Sequence, residues 1–355
     1  MHSVDFLIIG QGLAGSLLAY SLIKRGCTVH VLDNDHEGSS SRVAAGLINP
    51  VTGHRLNITD GYSMYRATAQ KLYWQIERDL GCDIHRQIRQ TRKIKNAGQA
   101  DYLVKRQSQT EYSDILGDMD NTGGWFEEAP GKLETAHTER HFGAIGISQT
   151  SVVDTKQLLY QMSSWLTARR AITKQHVIYS KLLTVKSKIR YDEIEADRVI
   201  FCEGHQALNN PWLSHLPFKL AKGEILSIKP SRQVDRMLSW GHWLVPALNG
   251  ACKLGSNYIW NDISPTTSAE SADKFLLSLE QHTGLTAHVI SHESGVRPAT
   301  TQRDPFVGPL TNLPRAFCLN GLGSKGCLIA PHFVTLLCDH LLEQRSLPYS
   351  ITQWL

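Results

Sequence analysis

Val4-Asp5-Phe6-Leu7-Ile8-Ile9-Gly10-Gln11-Gly12-Leu13-Ala14-Gly15-Ser16 is the stretch on which the reading of this chain turns. Residues 4–9 form a short, nearly continuous apolar run, as a parallel strand buried on both faces requires. Three glycines follow in G-x-G-x-x-G spacing. Residues 16–25 then read as a helix, with Leu18 and Leu22 at i, i+4 and Gly26 where a C-terminal cap belongs. A second strand over residues 28–32 ends in Asp33. Each glycine has a task in such a unit: a tight turn at Gly10, close approach of backbone to a pyrophosphate at Gly12, and close helix–strand packing at Gly15. Leu13 and Ala14 share that turn, where the helix start offers N–H groups and partial positive charge to a diphosphate. The Asp33 carboxylate is placed to accept ribose hydroxyls, and its charge argues against a 2′-phosphate and hence against NADP. Between NAD and FAD this unit alone does not decide.

The 355 residues suggest about two domains. With 41% hydrophobic and 20% charged residues, the composition is that of a globular protein and excludes disorder, collagen and coiled coil. Lys plus Arg number 37 against 33 acidic residues, and this net +4 is too small and scattered to be a nucleic-acid footprint by itself. The seven cysteines are odd in number and no pair has C-x-x-C spacing, so free thiols in a reducing compartment fit better than disulfides or a zinc ribbon. No Lys or Arg precedes the apolar start, as a secretion signal would require, and no run approaches the ~18 apolar residues of a membrane span. Further along, residues 39–55 read as an ordered loop, 58–80 as a helix, 87–95 as a strand, 102–116 as a helix, and 137–147 as a return to the first domain. A helix over 154–170, a strand near 176–180 and a hairpin over 184–196 follow. Residues 216–258 are mostly strands, 268–283 a helix, 288–291 and 316–319 strands, and 326–344 the last helix.

Ser39-Ser40-Ser41-Arg42-Val43-Ala44-Ala45-Gly46-Leu47-Ile48-Asn49-Pro50 resembles the flavin-contacting segment of the D-amino acid oxidase, glycine oxidase and sarcosine oxidase superfamily. Three further stretches match in order. Residues 196–204, ending in Cys202-Glu203-Gly204, resemble the strand and glycine that close over the FAD diphosphate. Gly295-Val296-Arg297-Pro298 with Asp304-Pro305-Phe306-Val307-Gly308 resembles the family's G-x-R-P … D-x-P-x-x-G region. Asn320-Gly321-Leu322-Gly323-Ser324-Lys325-Gly326 resembles its C-terminal flavin motif. The resemblance spans the chain and implies FAD, contacted by Gly10, Gly12, Leu13, Ala14, Gly15, Asp33, Ser40, Ser41, Arg42, Ala44, Ala45, Gly46, Gly204, Arg297, Gly321, Leu322, Gly323, Ser324, Lys325 and Gly326. A helix entered through Gly321, Gly323 and Gly326 points its positive end at the cofactor, which suits the negative charge of reduced flavin. Sarcosine oxidases that attach flavin use a cysteine in the stretch matching residues 295–300. This chain has none there, so the FAD is expected to be non-covalent.

Arg297 matches the arginine that pairs with the substrate carboxylate in the D-amino acid and glycine oxidases, work suited to a bidentate, permanently charged fork. Lys325 falls where sarcosine oxidases place a carboxylate-binding lysine. Trp243 stands where these oxidases usually carry a tyrosine, a departure that puts a donor-only, bulkier ring in the pocket. Tyr258 faces either that pocket or the core. His54 and Arg55 are candidates for the cofactor entrance. His137 and His141 are spaced i, i+4 around Glu139, but H-E-x-x-H is absent and no metal is expected. Arg92, Lys93, Lys95, Lys105 and Arg106 form a modest basic cluster of the solvated kind.

The expected architecture is α/β: a Rossmann-like, glutathione-reductase-type FAD-binding domain built from 1–56, 145–213 and 293–355, with a mixed-sheet α+β substrate domain from 57–144 and 214–292. The expected enzyme is a cytoplasmic FAD-dependent amine or amino-acid oxidoreductase. A hydride passes from the amine-bearing carbon to flavin N5, water hydrolyses the imine, and oxygen or a quinone reoxidises the cofactor. Neither nucleic acid nor integral membrane association is expected, and self-association is left open. Two other readings stand beside this one: an oxidase acting on a carboxymethylamino group of a modified tRNA base, similar to the FAD half of a bifunctional tRNA wobble-uridine enzyme, and a flavin-binding module without turnover.

Overall fold

The computed structural model describes residues 2–35, 38–120, 142–247 and 250–355. Strand β1 (His2–Ile9) runs parallel to β2 (Val29–Asp33) on one side and to the strand Ile194–Phe201 on the other. Ile172–Lys174 extends the parallel set beyond β2, and Ala316–Asn320 extends it beyond Phe201. Phe6 and Ile8 point into one apolar core and Leu7 and Ile9 into another, so β1 is buried on both faces, as its unbroken apolar run implies. Helix α1 (Leu13–Lys24) begins three residues earlier than the apolar spacing suggests, directly from the glycine turn. Gly26 follows it with φ +87°. The segment after β2 holds a single helical turn, α2 (Ser40–Val43), and short strands at Leu47–Ile48 and Val51–Thr52.

Helix α3 (Tyr62–Leu80) buries Tyr62, Ala69, Leu72, Tyr73 and Ile76 in the same core as α1, although the sequence assigns it to the substrate half. Its apolar stripe thus belongs with the nucleotide sheet, and residue 57 is not a packing boundary. Helix α4 (Ala97–Gln107) is capped by Asn96, whose side chain accepts the Gln99 N–H; the helix expected over 102–116 stops there, and a 3₁₀ turn at Thr110–Tyr112 leads to a strand at Leu116–Asp120. Asp154 caps α5 (Thr155–Ala168) in the same way, through the Gln157 N–H. The strand expected near 176–180 is instead Ile172–Lys174. Residues 179–181 turn in a 3₁₀ helix, and Val177 packs into the second core.

The other large sheet has eight strands among the described residues and is mixed. Ala287–Thr300, Phe218–Pro230, Cys252–Gly255, Trp243–Pro246 and Met237–Ser239 are antiparallel neighbours. Gln90–Lys93 then joins in parallel, followed by Ala144–Ile147 and Leu116–Asp120. Helix α6 (Ala269–Thr283) covers it with Phe275 and Leu279. The Ala287–Thr300 strand reaches across to the nucleotide half, where Val296 bridges Ser39 beside α2. The last helix, α7 (Gly326–Glu343), packs on α1 and α3 and contains Pro331. Proline lacks the N–H that would bond the Cys327 carbonyl, and the buried Tyr73 hydroxyl supplies that donor at 2.8 Å. One tyrosine of α3 therefore satisfies the first turn of α7. His137, Glu139 and His141 lie outside the described residues; among those described, no cluster of His, Cys, Asp or Glu could hold a metal.

Candidate active site

A cavity of about 1470 Å³ opens at the carboxyl ends of β1, β2 and the parallel strands ending at Phe201 and Asn320, and continues onto the mixed sheet. It exceeds the ~300–1,000 Å³ of ordinary small-molecule pockets, as a dinucleotide plus a substrate requires. All the residues singled out as cofactor contacts line it except Gly15, and so do Trp243 and Tyr258.

At the nucleotide end, backbone does the building. Gly10 has φ +102° and passes the Cys202 carbonyl so closely that a Cβ would sit 2.5 Å from its oxygen. A Cβ on Gly15 would overlap the Gly10 carbonyl, so this glycine packs helix on strand rather than touching the cavity. Gly12, by contrast, meets only the Ser41 hydroxyl, at 3.3 Å; beyond that its open side faces the cavity. No side chain caps α1 at Gly12, while Ser41 Oγ accepts the Leu13 N–H at 3.0 Å. The rest of that helix start is left for an anion. Asp33 accepts the Gln11 N–H at 2.7 Å, which fixes the carboxylate at the cavity wall. These features fit a dinucleotide diphosphate and ribose.

The flavin segment is equally tight. A Cβ on Gly46 would overlap the Val153 carbonyl, and one on Gly295 would come within 3.1 Å of Ser40 Cα, so both glycines permit backbone to lie against backbone. Arg42 pairs with Asp35 at the rim. Asn320, which sequence reasoning did not single out, is buried and ties the two glycine turns together: its Nδ2 donates to the Gly204 carbonyl at 2.9 Å, and its Oδ1 accepts the Gly321 N–H at 2.8 Å. Glu203 was also missed. Burial pushes its carboxyl up to about 7, although Asn210 and Tyr179 each donate to it at 2.7 Å.

At the other end, side chains converge from two strands and from the turns after two others. Arg297 lies on a strand, and burial lowers the pKa of its guanidinium. The guanidinium donates to Ser256 Oγ at 2.8 Å and to the Asn257 carbonyl at 3.2 Å, and lies 4.4 Å from the centre of the Tyr258 ring. It lies against Gly223, where any Cβ would collide with it. A glycine inside an apolar strand signals such close approach, and Gly223 was legible on that ground. Tyr258 is not a core residue: it is 53% exposed, and its hydroxyl meets Ser324 Oγ at 3.1 Å. The Lys325 ammonium donates to Thr59 Oγ1 at 3.0 Å, and burial lowers its pKa against the pull of Asp60. Trp243 is half-buried against an apolar cluster that includes Ala45 of the flavin segment. Arg297, Tyr258, Ser324, Lys325 and Trp243 thus surround one end of the cavity. His54 and Arg55 do not line it. The hairpin that carries them turns toward α4, where His54 bonds Asn96 and Arg55 lies over Tyr102.

A nucleotide cradle of backbone, joined to a compartment edged by a half-buried guanidinium, is the plan of a flavin-dependent oxidoreductase. The chain belongs to the FAD dependent oxidoreductase family, which it matches over residues 5–339; it is an enzyme and its cofactor is FAD. It is 23% identical to the Pseudoalteromonas atlantica tRNA 5-methylaminomethyl-2-thiouridine biosynthesis bifunctional protein MnmC, over 95% of this chain and 56% of that one. The chain spans about half the length of these bifunctional relatives. It is also 23% identical to the uncharacterized oxidoreductase YurR of Bacillus subtilis, over 96% of both. Among solved structures, glycine oxidase from Geobacillus kaustophilus superposes with a TM-score of 0.79 at 17% identity, covering 99% of this chain and 98% of that one. Iminodiacetate oxidase (IdaA) from Chelativorans sp. BNC1 gives 0.78 at 17% identity with the same coverage. Among the described residues no helix is long and apolar enough to cross a membrane.

Proposed function

We propose that the enzyme oxidises the C–N bond of an amine bearing a carboxylate one carbon from nitrogen, the unit that glycine and iminodiacetate share. The observation that carries this reading is the half-buried Arg297 guanidinium at the cavity end opposite the nucleotide cradle. A carboxylate entering there exchanges the Ser256 and Asn257 contacts for a charge-assisted pair in a site that screens little. Tyr258 underlies the guanidinium and holds its plane, and Trp243 narrows the space beside it. FAD, when bound, supplies the two-electron acceptor for the hydride leaving the carbon between nitrogen and carboxylate. The substrate amine must be neutral for that transfer, and no side chain of this chain is needed as an obligatory base. The resulting imine is hydrolysed by water. The FAD is held without a covalent bond, since residues 295–300 contain no cysteine. The test is anaerobic bleaching of the bound flavin against a panel of D-amino acids, N-methyl amino acids and cyclic imino acids. N-Methylglycine and its relatives are expected to bleach it; a flavin that no carboxylate-bearing amine reduces refutes the proposal.

One observation favours a second reading, in which the amine is carried on RNA. Arg55, Arg92, Lys95 and Arg106 have no carboxylate ion-pair partner among the described residues. Arg55 lies in the turn of the hairpin Val51–Thr52/Asn57–Ile58, and Arg92 donates to its Gly53 carbonyl and Arg106 to Asn57 Oδ1, at 2.6 Å each. The same hairpin ends at Thr59, the partner of Lys325. Retention of tRNA on the protein that weakens steeply with salt distinguishes this reading from a free amino acid.

A further inference from the structure

Three large apolar side chains stand half-exposed within six residues that start at the cavity wall with Tyr258: Tyr258 at 53%, Trp260 at 49% and Ile263 at 45%. Single exposed apolar residues are ordinary, but a contiguous rigid group at the edge of a binding cavity is not. The Tyr258 and Trp260 rings lie 5.9 Å apart and 23° from parallel. Neither is loose. Tyr258 is held by Ser324 at its hydroxyl and by the Arg297 guanidinium over its ring. Trp260 has the Lys219 ammonium 4.9 Å from its ring centre. Between them, the Ile259 backbone pairs in both directions with Lys222 at 2.9 Å, and the Lys222 ammonium is in turn pinned by Asp262 at 2.6 Å. The rings therefore hold their shape before anything binds, which removes most of the ordering cost of a stacking contact.

We propose that Tyr258 and Trp260 form a stacking platform for the part of the substrate that does not react, and that this part is a planar ring. The inference rests on the proposed function, because Arg297 fixes the carboxylate and the platform begins at the residue beneath it. A substrate held at its carboxylate by Arg297 has its nitrogen substituent free to extend outward. Tyr258 spans both regions, with the Arg297 guanidinium over its ring and the Trp260 ring stacked beside it, the two centres 5.9 Å apart. A flat π-face gains from the exposed parts of both rings, whose π-systems the Arg297 and Lys219 cations polarise; a compact aliphatic group gains only apolar contact. A small amino acid with an arylmethyl group on its nitrogen and a nucleobase in RNA offer the same ring chemistry.

The test compares three amines with the FAD-loaded enzyme: N-methylglycine, N-benzylglycine and N-(cyclohexylmethyl)glycine, the last with the bulk of the second but no planar ring. Anaerobic flavin reduction gives a limiting rate and an apparent dissociation constant for each. The benzyl compound is expected to bind about tenfold or more tighter than the cyclohexylmethyl one, and Trp260→Ala to erase that preference through the dissociation constant rather than the limiting rate. Trp260→Leu, which keeps apolar bulk, should lose it too. Equal binding of the two bulky amines, or a preference that survives both substitutions, overturns the platform. The ether analogues benzyloxyacetate and cyclohexylmethoxyacetate cannot be oxidised at nitrogen, and their perturbation of the flavin spectrum reads the platform even if no amine is turned over. A ring preference among the ethers without amine oxidation would uphold the platform and refute the proposed reaction; amine oxidation without a ring preference would do the reverse. A short RNA carrying the carboxymethylamino group on a base forms the last arm. Tighter, salt-sensitive binding of that RNA than of its free nucleoside assigns the ring to RNA, and equal binding assigns it to a small molecule; both uphold the platform.

Discussion

The two ends of the cavity are built from different materials. At the nucleotide end the working groups are backbone N–H and C=O, and the side chains that matter are those that are missing: Gly10, Gly15 and Gly46 leave no room for a Cβ. At the substrate end the working groups are side chains. Arg297, Tyr258, Trp243 and Lys325 arrive from separate strands and turns and are held by Ser256, Asn257, Ser324 and Thr59. A backbone site tolerates almost no substitution but binds one cofactor in many proteins. A side-chain site can be rebuilt residue by residue, which is where specificity is free to change.

The largest effect should separate the two roles of glycine within one motif. Gly15→Val drives a branched side chain into the Gly10 carbonyl. The loss should exceed about 4 kcal/mol, so that little folded protein is recovered on expression. Gly12→Val, whose side chain enters the cavity instead, should give folded but colourless protein, by circular dichroism and flavin absorbance. If the two variants behave alike, the division between packing glycine and cradle glycine is wrong.

At the other end, Arg297→Ala should keep its flavin and lose ~2–4 kcal/mol of transition-state binding, about 30- to 1,000-fold in kcat/KM. Arg297→Lys should recover only part of this, because an ammonium lacks the planar fork. Loss of flavin with unchanged turnover per bound flavin would make the arginine structural and leave Lys325 as the carboxylate anchor.

Glu203 sharpens the contrast, being a side chain at the backbone end. Its carboxyl titrates near 7 in the folded protein against 4.5 unexposed to that burial, so between these values the native state holds a proton that the unfolded state has released. Stability from this group is therefore full below 4.5 and falls as pH rises through about 7, by up to about 3 kcal/mol. Thermal unfolding of the FAD-free protein should show that slope, and Glu203→Gln should flatten it. A slope that persists in the variant belongs to another group.

The smallest effect expected is at Tyr73→Phe. It strands the Cys327 carbonyl that Pro331 cannot serve, costing about 1–3 kcal/mol in denaturant unfolding with the substrate kinetics unchanged. A neutral result would mean that water reaches that carbonyl.

This difference in material also explains what the sequence disclosed. Gly10, Gly12, Gly15 and Asp33 could be read because a backbone cradle needs glycine at fixed short spacing, and all four sit within one strand–helix–strand unit. Arg297 and the Gly321–Gly326 turn were visible through resemblance of contiguous motifs. Asn320 and Glu203 were not, because each acts on a partner far away in sequence: Gly204 for Asn320 and Tyr179 for Glu203. Trp260 had no signal beyond being one of eight tryptophans. The strand expected at 176–180 failed for a related reason. Val177 and Ile178 look strand-like, but Ala171 and Ile172 already occupy the edge of β2, and Val177 is used for core packing instead.

The claim that Arg297 reads a carboxylate is tested most directly by removing the charge from both partners in turn. Anaerobic flavin reduction by N-methylglycine and by its neutral amide, N-methylglycinamide, would be measured in the parent enzyme and in Arg297→Ala. The account predicts that the parent prefers the carboxylate by about 30-fold or more and that the preference disappears in Arg297→Ala, the two losses failing to add because they remove the same interaction. An equal preference in both proteins would contradict it.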